Sequence, residues 1–552
     1  MVNFPQPGYI KLPKNFPVTW QKDEHKDLLW IWDDIHSPLP ATTLQQSINR
    51  QTGRGIGLAA RELRVPPGGP RRDFNGYAYI AYLKTEPDIA SIEAHKEKLR
   101  GITPAFLKDW NNKYLPEIIE NNLKIREFIS EAEDEPLIEH LEKTMDVMQR
   151  HYYIHFLVIF TLFGATERFS SLYETISGSS DQLKPYELLQ GSQNKSLEAS
   201  EELYNIAKMI KSNQTLSNIF NQTNIRPMRR ALRDHPMGNE IDQEISSYLE
   251  TYGYRSISED ISSKLWIEDP AYPLMTLKSY VLGPERDFQA ELLEKKVSAS
   301  RQFSDLVDLA KSQKRIDLED LDDSLQQARK LWPLREDHAY YIDQQSNAFA
   351  RLLILKFANN LVKNNVILNP NDIFHLELDE IKQAVADPSV GLTSTIEQRK
   401  LDFNNFRREV PPRFLGTMYT DPPIIEGELS KFFNPIANTI SDPMQERSRL
   451  RGTAGSPGIH TGPARVILTP ESFDSVEPGD VLVTRTTNPS WAPLFGTIGA
   501  LVADSGGVLS HGAIVARELS LPAVMGTKVG TSAIKTGDII TVDGNTGTVT
   551  IG

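Results

Sequence analysis

The sequence contains no cysteine. That excludes disulfides, a thiolate nucleophile and any cysteine-ligated metal centre. It suits a reducing cytosol, and a cytoplasmic protein is expected. Long apolar runs are also missing. The most hydrophobic stretch, YYIHFLVIFTLFG (Tyr152–Gly164), is interrupted by His155 and falls short of the roughly 20 residues a membrane span needs. It reads as a buried core helix, and no membrane partner is expected. At the N-terminus, MVNFPQPGYIKLPKNFPVTW places prolines where a signal peptide needs an apolar core. A basic excess is absent too: 60 Lys+Arg against 73 Asp+Glu give a net charge of −13, which argues against a nucleic-acid partner.

The 552 residues exceed one core and point to several domains. From about Asp88 to Arg408 apolar residues recur at three- and four-residue spacing, so this part is read as helical. Before it, RVPPGGPRRDFNG reads as a loop and YAYIAYL as a short strand. QTGRGIGLAAREL does not fit the phosphate-binding pattern G-x-x-x-x-G-K-[ST] and reads as a loop before a helix. Met418 to Arg447 carries scattered prolines without a period and reads as a linker. After about Gly452 glycines become frequent and short β-rich runs alternate with turns: PARVILT, DVLVTRTT, GALVADS, DIITVDG and TGTVTIG. The last two read as a hairpin with DGNTG as its turn. Only HGAIVAREL reads as a good helix there. The expected organisation is a mainly helical domain over 1–417, a hinge over 418–451 and a glycine-rich domain over 452–552.

In that last domain His511 follows the turn Asp504–Gly507, and Ser510 is placed to N-cap the helix that begins there. The first helical turn has free backbone N–H groups and the positive end of the dipole. A phosphoryl group on the imidazole would be stabilised at that point. A neutral imidazole is a competent nucleophile toward phosphorus, and the small residues Gly512 and Ala513 would let a bulky donor approach.

GGVLSHGAIVARELSLPAV resembles the phosphohistidine signature of the phosphoenolpyruvate-utilising dikinases. The flanks GTAGSPGIHTGPARVI, LVTRTTNPSWAPLFGTIGALVADSGG and IKTGDIITVDGNTGTVTI look like the rest of that family's swivelling domain. The resemblance implies a β/β/α swivelling domain with His511 as phosphoryl carrier and Gly507, Ser510 and Gly512 around the phosphate. Arg517 and Glu518 match the motif as well, or are solvated helix charges. YLETYGYRSISEDISSKLWIEDP, the stretch beginning LREDHAYYIDQQ, and WIWDDIHSPLPATTLQQSI look more weakly like the substrate-binding region of rifampicin phosphotransferase.

A helical substrate domain plus a phosphohistidine domain, without a recognisable ATP-grasp domain, is the layout of the larger subunit of two-component phenylphosphate synthases. The resemblance therefore implies a transferase whose ATP and Mg²⁺ are bound by a separate ATP-grasp subunit. The β,γ-pyrophosphoryl part of ATP would pass to His511, and phosphate would then be lost. The remaining phosphoryl would go to the hydroxyl of a phenol or cresol. The alternatives are a split rifampicin-type antibiotic phosphotransferase, a phosphoenolpyruvate synthase-like enzyme, and a non-catalytic phosphocarrier. A phenol with a pKa near about 10 gains from a general base, and arginines would neutralise the moving phosphoryl. Candidates are His36 and His338 as base, Arg335 and Arg255 as clamps, and Glu336 and Asp260 to orient groups or touch substrate. His151, Tyr152, His155 and Phe156 are candidates for an aromatic pocket. His151 and His155 stand at i, i+4, a spacing that permits metal ligation; no metal site is assigned.

Overall fold

Helical periodicity carries through to structure. In the computed structural model, which describes residues 7–34, 37–82, 89–131, 137–179, 181, 183–222, 224–256, 258–313, 317–408, 411–419, 448–468, 472, 475–487, 491–508 and 510–552, helices follow one another from Ile89 to Arg408. The only β pairing among the described residues of that stretch is an isolated bridge between Ser256 and Leu265. The apolar run Tyr152–Gly164 lies inside the helix Leu137–Ser177, with Ile154, Leu157, Val158, Ile159 and Phe160 buried. No helix of the described residues is long and apolar enough to cross a membrane. The protein is thus a multidomain chain with a mostly helical part and a C-terminal β/β/α domain.

The chain divides into two compact units. One comprises Met1–Glu167, Asp260–Ser262 and Ser346–Met444, and the other Arg168–Glu259, Ser263–Gln345 and Gln445–Gly552. The first unit holds a five-stranded sheet of β1 (Gly8–Tyr9), β2 (Leu29–Trp32), β3 (Arg71–Phe74), β4 (Tyr77–Tyr82) and β5 (Phe414–Met418), in the order β1-β5-β2-β4-β3. The stretch RVPPGGPRRDFNG is therefore not all loop. Its end forms β3 and a two-residue turn, with Asn75 and Gly76 at φ 53° and 82° and Phe74 opposite Tyr77. Asn-Gly is the pair that tolerates this backbone. QTGRGIGLAAREL is likewise not a loop: it lies within the helix Thr43–Glu62. A Cβ on Gly55 would sit 2.1 Å from the Gln149 carbonyl, so this glycine permits close helix packing rather than a turn.

The second unit combines the helices between Arg168 and Gln345 with an eight-stranded sheet. Its strands are β6 (Arg449–Arg451), β7 (Thr453–Ser456), β8 (Ile459–Ile467), β9 (Val481–Thr484), β10 (Ala500–Ala503), β11 (Ala523–Met525), β12 (Ile539–Asp543) and β13 (Thr548–Ile551). The order is β6-β13-β12-β8-β9-β10-β11-β7. The pairs β8–β9, β9–β10 and β10–β11 are parallel. The expected closing hairpin β12–β13 is present, with Asp543 opposite Thr548. The middle strands are buried on both faces, as parallel strands usually are, and their side chains alternate between two cores. Val481, Val483, Ala500 and Val502 point into a core with Ile540, Val542 and Val549. Leu482, Leu501 and Ala503 join a second cluster with Ala513, Leu494 and the helical residues Leu203, Tyr204 and Tyr280. The sheet domain thus has one face to itself and shares the other with helices of the same unit. Of the hinge expected over 418–451, residues 420–447 lie outside the described residues; Met418 closes β5, and Arg449–Arg451 form β6.

Candidate functional site

The carrier helix runs from His511 to Glu518. Ser510 stands at its N-cap in extended conformation, φ −67° and ψ 152°, but its side chain does not cap the helix. The hydroxyl instead donates to the Gly507 carbonyl at 2.7 Å, which tightens the loop in front of the helix. Amides in the first turn are therefore not taken by this cap. Gly506, at φ 101°, needs a conformation that side chains avoid. At Gly507 an added Cβ would meet nothing within 4 Å, so the space over the loop is open.

Gly512 has a steric reason of its own. A Cβ there would lie 2.4 Å from Thr487 Oγ1, 3.2 Å from Met525 Cε and 3.3 Å from Leu501 Cδ2. Gly512→Ala is expected to lower stability by about 1–3 kcal/mol through overpacking, read as a fall in the thermal midpoint.

His511 is tied by its Nδ1 to Glu336 Oε1 at 3.0 Å, and its Nε2 is buried without a partner. Its ring lies 6.5 Å from that of Phe495. Glu336 comes from the short helix Leu334–Ala339 and is itself buried. Burial opposes its ionisation. Even so, His511, a hydrogen bond from Ser196 Oγ at 2.7 Å and the charge of Arg335 hold its pKa down to about 2. It is an ionised carboxylate throughout the neutral range and can only accept. The proton of a neutral His511 must therefore sit on Nδ1, which leaves the lone pair on Nε2. Because the folded pKa is depressed, this contact adds stability above the ordinary glutamate range, lost as pH falls from about 4.5 toward about 2.

Asp337 behaves oppositely. Burial raises its pKa to about 6 although it accepts the Lys195 N–H at 2.8 Å. Its ionisation works against the fold as pH rises toward about 6.

Arg335 is half-buried, and burial lowers its pKa against the pull of Glu336 and Asp343. Arg255 is 1% exposed. Its guanidinium lies over Tyr252, Trp266 and Tyr340 at 5.3, 5.5 and 5.6 Å. It donates from Nη2 to the Lys195 carbonyl at 3.2 Å, while Nε and Nη1 have no partner. Lys195 and Ser196 open the helix Lys195–Lys211, capped by Asn194. That helix start therefore touches both Arg255 and Glu336. His338 is buried with Nδ1 on the Leu334 carbonyl, so in the neutral ring Nε2 is the basic nitrogen.

The structure brings His511, Gly507, Ser510, Gly512, Glu336, Arg335, Arg255 and His338 into one unit. Glu336, a candidate substrate contact, is bonded to His511. The other candidates belong to the first unit. His151 is fully buried, bonded from Nδ1 to Ser346 Oγ at 2.7 Å, and burial lowers its pKa to about 4. It is a buried, hydrogen-bonded imidazole whose burial favours the neutral form. His155 stacks with Tyr152 at 5.6 Å between ring centroids and lies tilted against Phe156 at 4.8 Å. Asp260 accepts the Thr42 N–H at 2.8 Å and Thr42 Oγ1 at 3.1 Å, and so pins the start of the helix Thr43–Glu62. His36 lies outside the described residues.

Arg517 and Glu518 are not solvated helix charges. Both are buried, and Arg517 donates to the carbonyls of Gly455 and Val508 at 2.6 Å each. It thereby ties the carrier helix to β7 and to the loop before His511. Ser196 was not legible as a site residue. Its sequence signal is only that of a polar residue in the first turn of a capped helix.

Residues 476–547 match the mobile domain of PEP-utilising enzymes. The helix start at His511 lies inside this matched segment. Residues 155–336 match the fourth domain of rifampicin phosphotransferase, so each partner of the His511–Glu336 pair lies in one matched segment. The chain is thus similar to phosphotransferases of the PEP-utilising enzyme family over these two segments. Chondramide synthase cmdD of Chondromyces crocatus is 30% identical over 99% of this chain and 14% of its own length. The uncharacterized phosphotransferase YvkC of Bacillus subtilis is 31% identical over 76% of this chain and 49% of its own. Rifampicin phosphotransferase of Bacillus subtilis is 32% identical over 57% of this chain and 35% of its own. The chain thus spans half or less of the length of each of these relatives.

Proposed function

We propose that this chain is the carrier and acceptor-binding part of an ATP-dependent phosphotransferase. The observation that supports this most is the pair at its centre: an imidazole with Nδ1–H held by an ionised, buried carboxylate and with its Nε2 lone pair unclaimed. An ATP-binding part outside these 552 residues, with Mg²⁺, supplies the β,γ-pyrophosphoryl group. Nε2 attacks the β-phosphorus, the bond from that phosphorus to the α,β-bridging oxygen breaks, and AMP leaves carrying that oxygen as the phosphorus–Nε2 bond forms. Hydrolysis releases phosphate, and the remaining phosphoryl passes to an acceptor hydroxyl as that hydroxyl gives up its proton. On this reading the carrier domain visits two sites in turn, and the proline-containing stretch 418–451 is its tether.

For the acceptor, the match of residues 155–336 supports a hydroxyl of the rifampicin type ahead of the simple phenols to which the domain layout points. Pyruvate, or no acceptor beyond the carrier itself, completes the set. Arg255 and Arg335 serve as phosphoryl or oxyanion clamps and His338 as base. The buried guanidinium of Arg255, with no carboxylate at ion-pair distance among the described residues, favours a negatively charged visitor. The test supplies the ATP-binding part and radiolabelled ATP with rifampicin, phenol, p-cresol or pyruvate in turn. A labelled product identifies the acceptor, and label that stays on the protein with every acceptor supports the bare phosphocarrier.

Replacing Arg255 with Met, or Arg335 with Ala, is expected to slow transfer from phosphorylated His511 to the acceptor by about a hundredfold. The rate of His511 phosphorylation should stay unchanged. Equal loss in both half-reactions would make either arginine structural. The isolated chain is expected not to bind Mg·ATP, which calorimetry checks directly.

A further inference from the structure

The C-terminal end of the carrier helix carries a residue that local conformation alone disfavours. The helix closes with Ser520 N–H on the Arg517 carbonyl at 3.2 Å and Leu521 N–H on the Ala516 carbonyl at 2.8 Å. This pair of bonds defines a Schellman end, whose left-handed residue is usually glycine. Here it is Ser520, at φ 52°, so its side chain strains the backbone. The side chain has a partner that glycine could not have. Lys295, from the helix Phe288–Ser312, donates to Ser520 Oγ at 2.9 Å and to the Arg517 carbonyl at 2.5 Å. A lysine on the last carbonyls also meets the negative end of the helix dipole. Between the two ends, Trp332 Nε1 approaches Glu518 Oε1 at 3.4 Å, and Arg517 lies over the Tyr186 ring at 5.6 Å. The carrier helix is therefore held from the helical part of its unit at both ends, by Glu336 at His511 and by Lys295 at Ser520.

We propose that Lys295 and Ser520 are positioning residues, a latch that keeps the carrier helix docked so that His511 rests on Glu336 with Nε2 shielded. The purpose given to the latch rests on His511 being the carrier, but the latch itself is tested without phosphoryl transfer. The full chain is treated briefly with diethylpyrocarbonate, and modification of His511 is followed by peptide mass spectrometry in the parent, Ser520→Gly, Lys295→Met and the double variant.

Ser520→Gly separates the latch from ordinary structure, because it relieves backbone strain while removing the hydroxyl. If Ser520 only shapes the helix end, glycine leaves His511 equally or better protected. If the latch is real, each single variant raises the rate of His511 modification by about tenfold, the worth of one hydrogen bond to a charged group. The double variant then goes little further than Lys295→Met, which already removes the Ser520 contact together with the bond to the Arg517 carbonyl, and the thermal midpoint of Ser520→Gly does not fall. An unchanged or lower rate in Ser520→Gly overturns the proposal, as do single effects that multiply in the double variant. If His511→Ala still accepts phosphate normally, the carrier reading fails while this result stands by itself.

Discussion

Replacing His511 with alanine is expected to abolish acid-labile phosphorylation of the chain, a loss of at least about a thousandfold in the rate of carrier formation. His511 is the nucleophile of the proposed cycle, and alanine offers no atom to which the phosphoryl can bond. The substitution should leave the fold intact. The residue stands in the first turn of the helix His511–Glu518, where alanine is a good helix former. Its ring makes one described aromatic contact, the 6.5 Å approach to Phe495. The measurement is incorporation of label from β-labelled ATP in the presence of the ATP-binding part, with circular dichroism and the thermal midpoint as controls. A folded alanine variant that still takes up and passes on phosphate at the parent rate would end the carrier assignment.

The second large effect is expected at Glu336. Glu336→Gln keeps the shape and retains an acceptor for Ser196, but it removes the charge and adds a donor. Two consequences follow for His511. Glutamine can donate to Nδ1, which stabilises the tautomer with its proton on Nε2 and blocks the attacking lone pair. When Nε2 bonds to phosphorus, the ring becomes cationic with its proton still on Nδ1, and no carboxylate remains to stabilise that charge. The same carboxylate-to-amide change beside the catalytic histidine of serine proteases costs on the order of 10⁴-fold, and a loss of about 10³- to 10⁴-fold in carrier formation is expected here. Because its contacts with His511, Ser196 and Arg335 outweigh burial and keep Glu336 ionised well below the usual carboxylate range, this loss should persist from neutral to alkaline pH. Glu336→Asp, which keeps the charge, should recover part of the rate. A glutamine variant within about tenfold of the parent would show that the carboxylate only packs.

The proposed carrier, His511, was legible because its signal is local. A glycine-flanked turn, an N-cap position and a short amphipathic helix are all contiguous in sequence, and the alternation of β-rich runs around them marks a separate domain. The helical part was legible for the same reason, since the 3.6-residue period is carried by neighbours in the chain. Errors fell where a local signal has two structural meanings. TGRGIG reads as a loop by composition, yet its glycines lie in a helix, where Gly55 lets another helix backbone approach within van der Waals reach. FNG reads as a loop, yet Asn75 and Gly76 make the tight turn of a hairpin. Ser510 has the N-cap position that the sequence implies, but its hydroxyl turns back to Gly507.

The partners of the site were not legible. Glu336 is 175 residues from His511 in the chain and in sequence is one acidic residue of a charged helix start. Lys295 and Ser520 are likewise 225 residues apart. The sequence by itself determined the candidate histidine, the helix it opens, the class of domain and the exclusion of thiol chemistry, because those follow from residue type and short-range spacing. Only the tertiary structure decided which carboxylate selects the tautomer of His511, which charges of the carrier helix are buried, and which of eleven histidines merely fill a core. Those outcomes depend on desolvation and on contacts between segments distant in the chain. No window of sequence contains them, because the same glutamate or histidine is a solvated charge or a buried partner according to what folds over it.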